Sequence, residues 1–309
     1  MLYLCFFIVL ALCFLLGMTW LRVGLFNVSG GAVEGLLRKM TNTPISGFIA
    51  GIVMTAVLQS SSAVTVIAVG LVSARILAFP QTIGIILGTN IGTTITLEFF
   101  TFDLTKIIIP FLAIGLFFML FKHAKWRSTG FIFVGIGMIF AAMNGFEWLS
   151  SPLAQVSYVQ HLIYLMRDYV IIAFLTGTLL TALIQSSTVM TGIAMSFLAT
   201  GIFPLETGIA IMLGANIGTC ATGLLAAIGA GHEARLTAFA HMWLNIAGAL
   251  IFLPLSHILA DASRLMTDTP ESQLAHASVV FNVLCSLVVL PFANQFGRLI
   301  SKIHGGKRT

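Results

Sequence analysis

Charge is what this chain has least of. Lys, Arg, Asp and Glu make up 8% of its 309 residues, against 58% apolar ones, where soluble domains carry about a quarter charged residues. A soluble chain of this length has no interior large enough for that much apolar surface. The composition therefore excludes a soluble enzyme or binding module and gives an all-α polytopic membrane protein in a lipid bilayer. The net charge of +5 does not signal nucleic acid, because the basic residues sit in short clusters between apolar runs, as cytoplasmic loops do. Cysteine is scarce too. Cys5, Cys13, Cys220 and Cys285 lie in apolar stretches without metal-ligand spacing, so neither a transition-metal site nor a cofactor is implied. A basic stretch ahead of the first apolar run is also missing. The first basic residue is Arg22, after Met1–Leu21, so the run reads as a retained transmembrane helix over 1–26 with its N-terminus outside, not as a cleaved secretory signal.

Charge-free windows give the layout. Residues 1–21, 76–97, 128–146, 207–232, 236–260 and 272–297 are each about one bilayer crossing long, and 107–121, extended back to Leu104, makes a seventh. Two windows, 40–74 and 169–205, are far too long for one crossing, and each holds a Gln-Ser-Ser near its middle. A re-entrant hairpin, two half-helices meeting at a polar turn, accounts for both facts. Broken backbone at membrane depth survives only against protein or a watery cavity.

The chain is also duplicated. Gln59-Ser60-Ser61-Ser62 and Gln185-Ser186-Ser187-Thr188 stand 126 positions apart, and the same offset carries "LGTNIGTT" (Leu87–Thr94) onto "LGANIGTC" (Leu213–Cys220). Loop charges set the orientation. Lys122, Lys125 and Arg127 mark one cytoplasmic loop, Arg298, Lys302, Lys307 and Arg308 a cytoplasmic tail, and Asp261, Asp268 and Glu271 an exterior loop. Arg22, Arg38, Lys39 and Arg75 then lie inside, whereas Arg167 is an exception outside. Each repeat then reads as a re-entrant hairpin plus three crossings, an odd number, so the first hairpin opens to the cytoplasm and the second to the exterior. The expected organisation is the N-terminal helix (1–26), repeat 1 (40–149, hairpin 40–74), an inverted repeat 2 (150–300, hairpin 169–205) and a basic cytoplasmic tail (301–309). Inverted repeats with broken helices at the midplane are a signature of secondary transporters in the cell membrane.

A half-helix starting near Ser61 offers free N–H groups and a positive dipole end, which favour an anion. Gln59, Ser60, Ser61 and Ser62 add donors, and Gln185, Ser186, Ser187 and Thr188 repeat them, so two facing tips would enclose a small oxyanion with neutral groups. Sodium needs acceptor oxygens instead, and Asn90, Thr93, Thr94, Asn216 and Thr219 can supply them, with Gly88, Gly92, Gly214 and Gly218 letting those helices unwind. No acidic or basic residue falls deep in a predicted span, and His241 and His276 fall near span ends. Proton-coupled carriers place an ionisable group on the path, so neutral oxygens suit sodium better. A His241–Asn245 side-chain pair reads as structural, as do His276 and Asn282.

With these motifs in view the chain resembles the sodium/phosphate cotransporter family, the type II group and its bacterial relatives, over most of residues 45–295. The paired Gln-Ser-Ser segments, "GTNIGTT", "GANIGTC" and "AFAHMWLN" (Ala238–Asn245) carry the resemblance. It implies import of inorganic phosphate with sodium as the coupling ion, by an elevator-like motion and without enzymatic chemistry. A homodimer is compatible with it. The membrane aspartate that electrogenic animal members use for sodium is replaced by Met242. The alternatives are a sodium-coupled carrier of sulfate or a dicarboxylate, or an ion channel. A larger dianion calls for a deep Arg, and a channel has no need of two closed hairpin tips. An intramembrane serine enzyme lacks a base beside either motif.

Overall fold

The computed structural model describes residues 2–29 and 43–305, and no strand occurs among them. In chain order the helices are α1 (Leu2–Ser29), α2 (Pro44–Leu58), α3 (Ser61–Ser73), α4 (Phe79–Phe100), α5 (Ile108–Met119), α6 (Ala124–Ala154), α7 (Ser157–Asp168) and α8 (Val170–Ile184). Then come α9 (Ser187–Ala199), α10 (Leu205–Gly218), α11 (Cys220–Ala226), α12 (His232–Phe252), α13 (Ser256–Arg264), α14 (Pro270–Val289) and α15 (Ala293–His304). Six stretches are long and apolar enough to cross a membrane: α1, α4, α6, α10–α11, α12 and α14–α15. The chain is thus an all-α polytopic membrane protein.

The two long windows fold as helix-break-helix units, α2–α3 and α8–α9. An offset of 126 carries the bounds of α2 onto α8, of α3 onto α9, and of α4 onto the span Leu205–Ala226. Each first half-helix lies along the long helix that follows its hairpin, α2 on α4 and α8 on α10. Small residues allow the approach. A Cβ at Gly88 would run into the carbonyl oxygen of Phe48, and one at Gly214 into that of Phe174, the residue equivalent to Phe48. Close backbone contact of this kind is what small residues provide in membranes, where apolar surface alone does not drive helices together. Outside the repeats, α1 lies along α6. There Phe14 is wholly buried, edge-on to Phe100 at 5.5 Å.

The structure corrects several expectations. The window 104–121 forms a short 3₁₀ turn that runs into the 12-residue α5, a continuous apolar stretch from Thr105 to Met119 that is short for one crossing. Gly88 and Gly92 do not unwind α4, which is continuous through both; the glycines serve packing. In the second repeat α10 and α11 join at Thr219, which keeps helical dihedrals and its bond to the Ala215 carbonyl at 3.0 Å, so the span Leu205–Ala226 is not unwound there either. The N-terminal helix, expected over 1–26, runs from Leu2 to Ser29 and includes Arg22. His241 lies in the middle of α12, not near its end, and is 2% exposed. His276 pairs with Glu98 at 2.7 Å, a carboxylate that α4 carries near its end. Asn282 donates to the Ser278 carbonyl at 2.9 Å, a within-helix bond in keeping with a structural role. Arg38, Lys39, Lys307 and Arg308 lie outside the described residues. The tail begins in helix, since α15 runs to His304.

Candidate functional site

Both Gln-Ser-Ser segments adopt the same local structure. Gln59 (φ 51°, ψ 32°) and Gln185 (φ 59°, ψ 29°) sit in the left-handed region at the ends of α2 and α8. Only one other non-glycine residue among those described, Arg75, has a positive φ. A left-handed residue with a Cβ costs about 1–2 kcal/mol, so two glutamines held there mark turns that the surrounding structure imposes. The Gln59 amide donates to the Ala56 carbonyl at 2.6 Å, closing its own half-helix. Arg22 Nε donates to the Gln59 carbonyl at 2.9 Å, so α1 braces the first tip. At the second tip the Gln185 side chain is exposed.

The next serine opens the second half-helix. Ser60 Oγ accepts from the Ala63 N–H at 3.1 Å, and Ser186 Oγ accepts from the Val189 N–H at 3.4 Å. These are N-caps, which satisfy one of the free donors at a helix start. Ser61 and Ser187, the first residues of α3 and α9, are left to face inward.

They face the same cavity. Ser61, Asn90, Thr93, Ser187, Asn216, Thr219, His241 and Asn245 line a small space of about 10 Å³, room for about one water. Of the expected anion ligands, Ser61 and Ser187 are brought together there, while Gln59, Ser60, Ser62, Gln185, Ser186 and Thr188 do not line the cavity. Of the expected sodium ligands, Asn90, Thr93, Asn216 and Thr219 line it and Thr94 does not. The Thr94 hydroxyl donates to the Ile91 carbonyl and is 2% exposed. The two groups of residues thus form one chamber, not two.

Its hydrogen bonding is lopsided. Thr93 and Thr219 spend their hydroxyl protons on the carbonyls of Thr89 (3.0 Å) and Ala215 (2.9 Å), which leaves their oxygen lone pairs for the chamber. Asn245 ties the wall together. Its Oδ1 accepts from Asn90 Nδ2 at 3.3 Å, and its Nδ2 donates to the His241 carbonyl at 2.9 Å and to Cys220 Sγ at 3.5 Å. The expected His241–Asn245 side-chain pair is therefore a side chain-to-backbone bond. It leaves His241 Nδ1 buried with no partner among the described residues. Both residues line the chamber, which the sequence reading did not foresee. Their spacing of four on one helix, inside the "AFAHMWLN" segment, was the available signal.

Comparison with known proteins adds the following. Residues 13–150 and 145–268 each match the Na+/Pi-cotransporter family. The Bacillus subtilis protein YqeW is 40% identical over 294 residues, 95% of this chain and 96% of YqeW. Escherichia coli K12 YjbB, named for inorganic phosphate export, is 26% identical over 283 residues; these are 91% of this chain and 52% of YjbB, so the chain spans about half of that relative. The rat sodium-dependent phosphate transport protein 2C is 31% identical over 128 residues, 40% of this chain and 21% of that protein. No solved structure matches.

Proposed function

Because the chain belongs to the Na+/Pi-cotransporter family, we propose that it carries inorganic phosphate across the cell membrane, driven by a sodium gradient, through the chamber between its hairpin tips. One observation supports this above the others: Ser61 and Ser187, each opening its own half-helix, line the same small chamber. Two helix N-termini and two hydroxyls aimed at one point favour an anion without any charged side chain. The lone pairs of Thr93 and Thr219, with the Asn90 and Asn216 oxygens, suit sodium. Space for about one water holds a bare cation but not an oxyanion. Phosphate therefore enters only when the tips part, which fits an elevator-like motion of the hairpin-bearing part of the chain.

Phosphate flux in proteoliposomes tests this reading. Radiolabelled phosphate should accumulate under an inward sodium gradient and fail to do so when potassium or choline replaces sodium. Equal uptake without sodium, or a proton gradient sufficing alone, overturns the coupling. Faster uptake of sulfate or a dicarboxylate replaces the substrate. YjbB is named for export, so the same vesicles are loaded with phosphate and given an outward sodium gradient. Our reading is import, with the direction set by the gradient.

The two repeats, 40–149 and 150–300, are inverted in this reading, which counts the short apolar stretch Thr105–Met119 as the third crossing of repeat 1, with the N-terminus outside and the C-terminus cytoplasmic. The support is the charge bias of the loops together with the shared offset of the two hairpins. Ala74 and Thr200 cap α3 and α9 and are exposed. Single cysteines at the two positions, in a background free of Cys5, Cys13, Cys220 and Cys285, should react with an impermeant thiol reagent from opposite sides. Cys220 is best replaced by threonine, the residue that the first repeat has at Thr94. Labelling of both positions from one side refutes the inversion.

A further inference from the structure

Two cavities at the bases of the hairpins, away from the tips, occupy equivalent places. The first, of about 670 Å³, is lined by Val72, Arg75, Leu77 and Ala78 at the end of hairpin α2–α3, and by His232 and Glu233 at the start of α12. The second, of about 370 Å³, is lined by Leu198, Gly201, Phe203 and Pro204 at the end of hairpin α8–α9, with Arg167 and Arg264 beside them. The offset of 126 turns each of the four hairpin residues of the first cavity into its counterpart in the second.

One exchange among the four stands out. The turn requires a left-handed residue in both hairpins, with φ 58° at Arg75 and φ 72° at Gly201. Glycine meets that demand without steric cost, whereas the first hairpin keeps an arginine against it. The second cavity has the cheaper turn and receives its guanidinium groups from elsewhere. Arg264 is already engaged, at 2.7 Å from Glu206 and 2.9 Å from Asp261. Arg167, at the end of α7, is exposed and has no ion pair among the described residues, and the same holds for Arg75. Each cavity thus carries one uncommitted arginine, supplied from a non-equivalent position. Arg167 is also the basic residue that the loop charge bias leaves on the wrong side. A capture role accounts for it where topology does not.

The cavities connect to the chamber through matching elements. Helix α3 runs from Val72 in the first cavity to Ser61 in the chamber, and α9 runs from Leu198 in the second to Ser187. Each path is roughly 16 Å at the rise of an α-helix.

We propose that Arg75 and Arg167 are paired anion-capture residues, one at the base of each hairpin, that concentrate inorganic phosphate at the two mouths before it passes to the central chamber. This rests on the reading of the chain as a phosphate carrier. A guanidinium offers a planar fork of donors that fits a tetrahedral oxyanion at two oxygens. Its pull on an ion in solution shows mainly as a higher local concentration and encounter rate. The capture residues therefore act on half-saturation and not on the maximal rate.

The test uses Arg75→Gly and Arg167→Gln in the full chain, reconstituted in one orientation, with phosphate flux measured in both directions. Ionic strength is varied with choline chloride at fixed sodium. Each substitution should raise half-saturating phosphate about three- to ten-fold from one membrane face only, with opposite faces for the two variants and maximal rates unchanged. The effect should fade near 1 M salt, where the screening length shrinks to about 3 Å. Arg75→Gly should also melt no lower than the parent, since glycine relieves the turn. Unchanged half-saturation from both faces, a loss of maximal rate alone, or both variants acting on the same face overturns the pairing. A parent protein that moves no phosphate under any gradient overturns the carrier reading itself. A parent that moves phosphate beside variants that behave like it removes only the capture role.

Discussion

Replacing Ser61 or Ser187 by alanine should lower sodium-driven phosphate transport about ten-fold or more. Each hydroxyl lines the chamber directly, and each follows the N-capping serine that spends its own oxygen on a helix N–H. A hydrogen bond to a charged partner is worth about 1.5–3 kcal/mol, and about 1.4 kcal/mol is a factor of ten. If both hydroxyls hold one ion, the double variant should lose less than the product of the two single losses, because the effects of residues that share a partner do not add. A packing role predicts a different pattern, in which less folded protein is recovered while transport per folded molecule survives. The deciding measurement is phosphate uptake normalised to monodisperse protein, for both single variants and the double. Near-parental specific activity in both singles would reduce the Gln-Ser-Ser segments to helix-capping turns and remove phosphate from the chamber.

The two helix breaks were legible because three independent signals agreed: windows too long for one crossing, a polar stretch in each, and a constant offset between them. Within the windows 40–74 and 169–205 the described residues form the helix-break-helix pairs α2–α3 and α8–α9. The division of labour inside each motif was not legible. A run of Gln and Ser supplies many donors, and a linear reading counts them all toward a ligand. Backbone geometry gives two residues of each motif a further task, since the turn between two half-helices needs one residue to close a helix and one to open the next. Gln59 and Ser60 take those roles, as Gln185 and Ser186 do in the second hairpin. Asn245 was misread for a related reason. A neighbour four residues away suggests a local pair, but its Oδ1 accepts from Asn90, 155 positions earlier, and nothing in a single sequence brings those residues together. Arg22 was used to mark the side of the membrane, and its bond to the Gln59 carbonyl 37 positions later is a contact that charge patterning does not reveal.

Replacing Thr93 and Thr219 by valine should shift the sodium dependence of transport before it touches phosphate. Valine has nearly the shape of threonine, so the packing around α4 and α10 survives, and what is lost is an oxygen. The two hydroxyls already donate to the carbonyls of Thr89 and Ala215, so they have no proton left for an anion. What they offer the chamber is acceptor density, which is the chemistry of a cation ligand. Half-activating sodium should therefore rise on the order of ten-fold for each substitution, equivalent to about 1.4 kcal/mol of lost ion affinity. Half-saturating phosphate, measured with sodium in excess, should move far less. Lithium serves as a further probe: a chamber of about 10 Å³ has room for little more than a bare cation, so if these oxygens bind sodium, loss of one should change the preference between the two cations as well as the affinity. The measurement is initial phosphate flux at saturating phosphate over a sodium titration, repeated with lithium, on each single variant and the pair. Unchanged sodium activation in both variants, with phosphate affinity reduced instead, would assign these threonines to the anion and leave the sodium site to be found elsewhere in the chain.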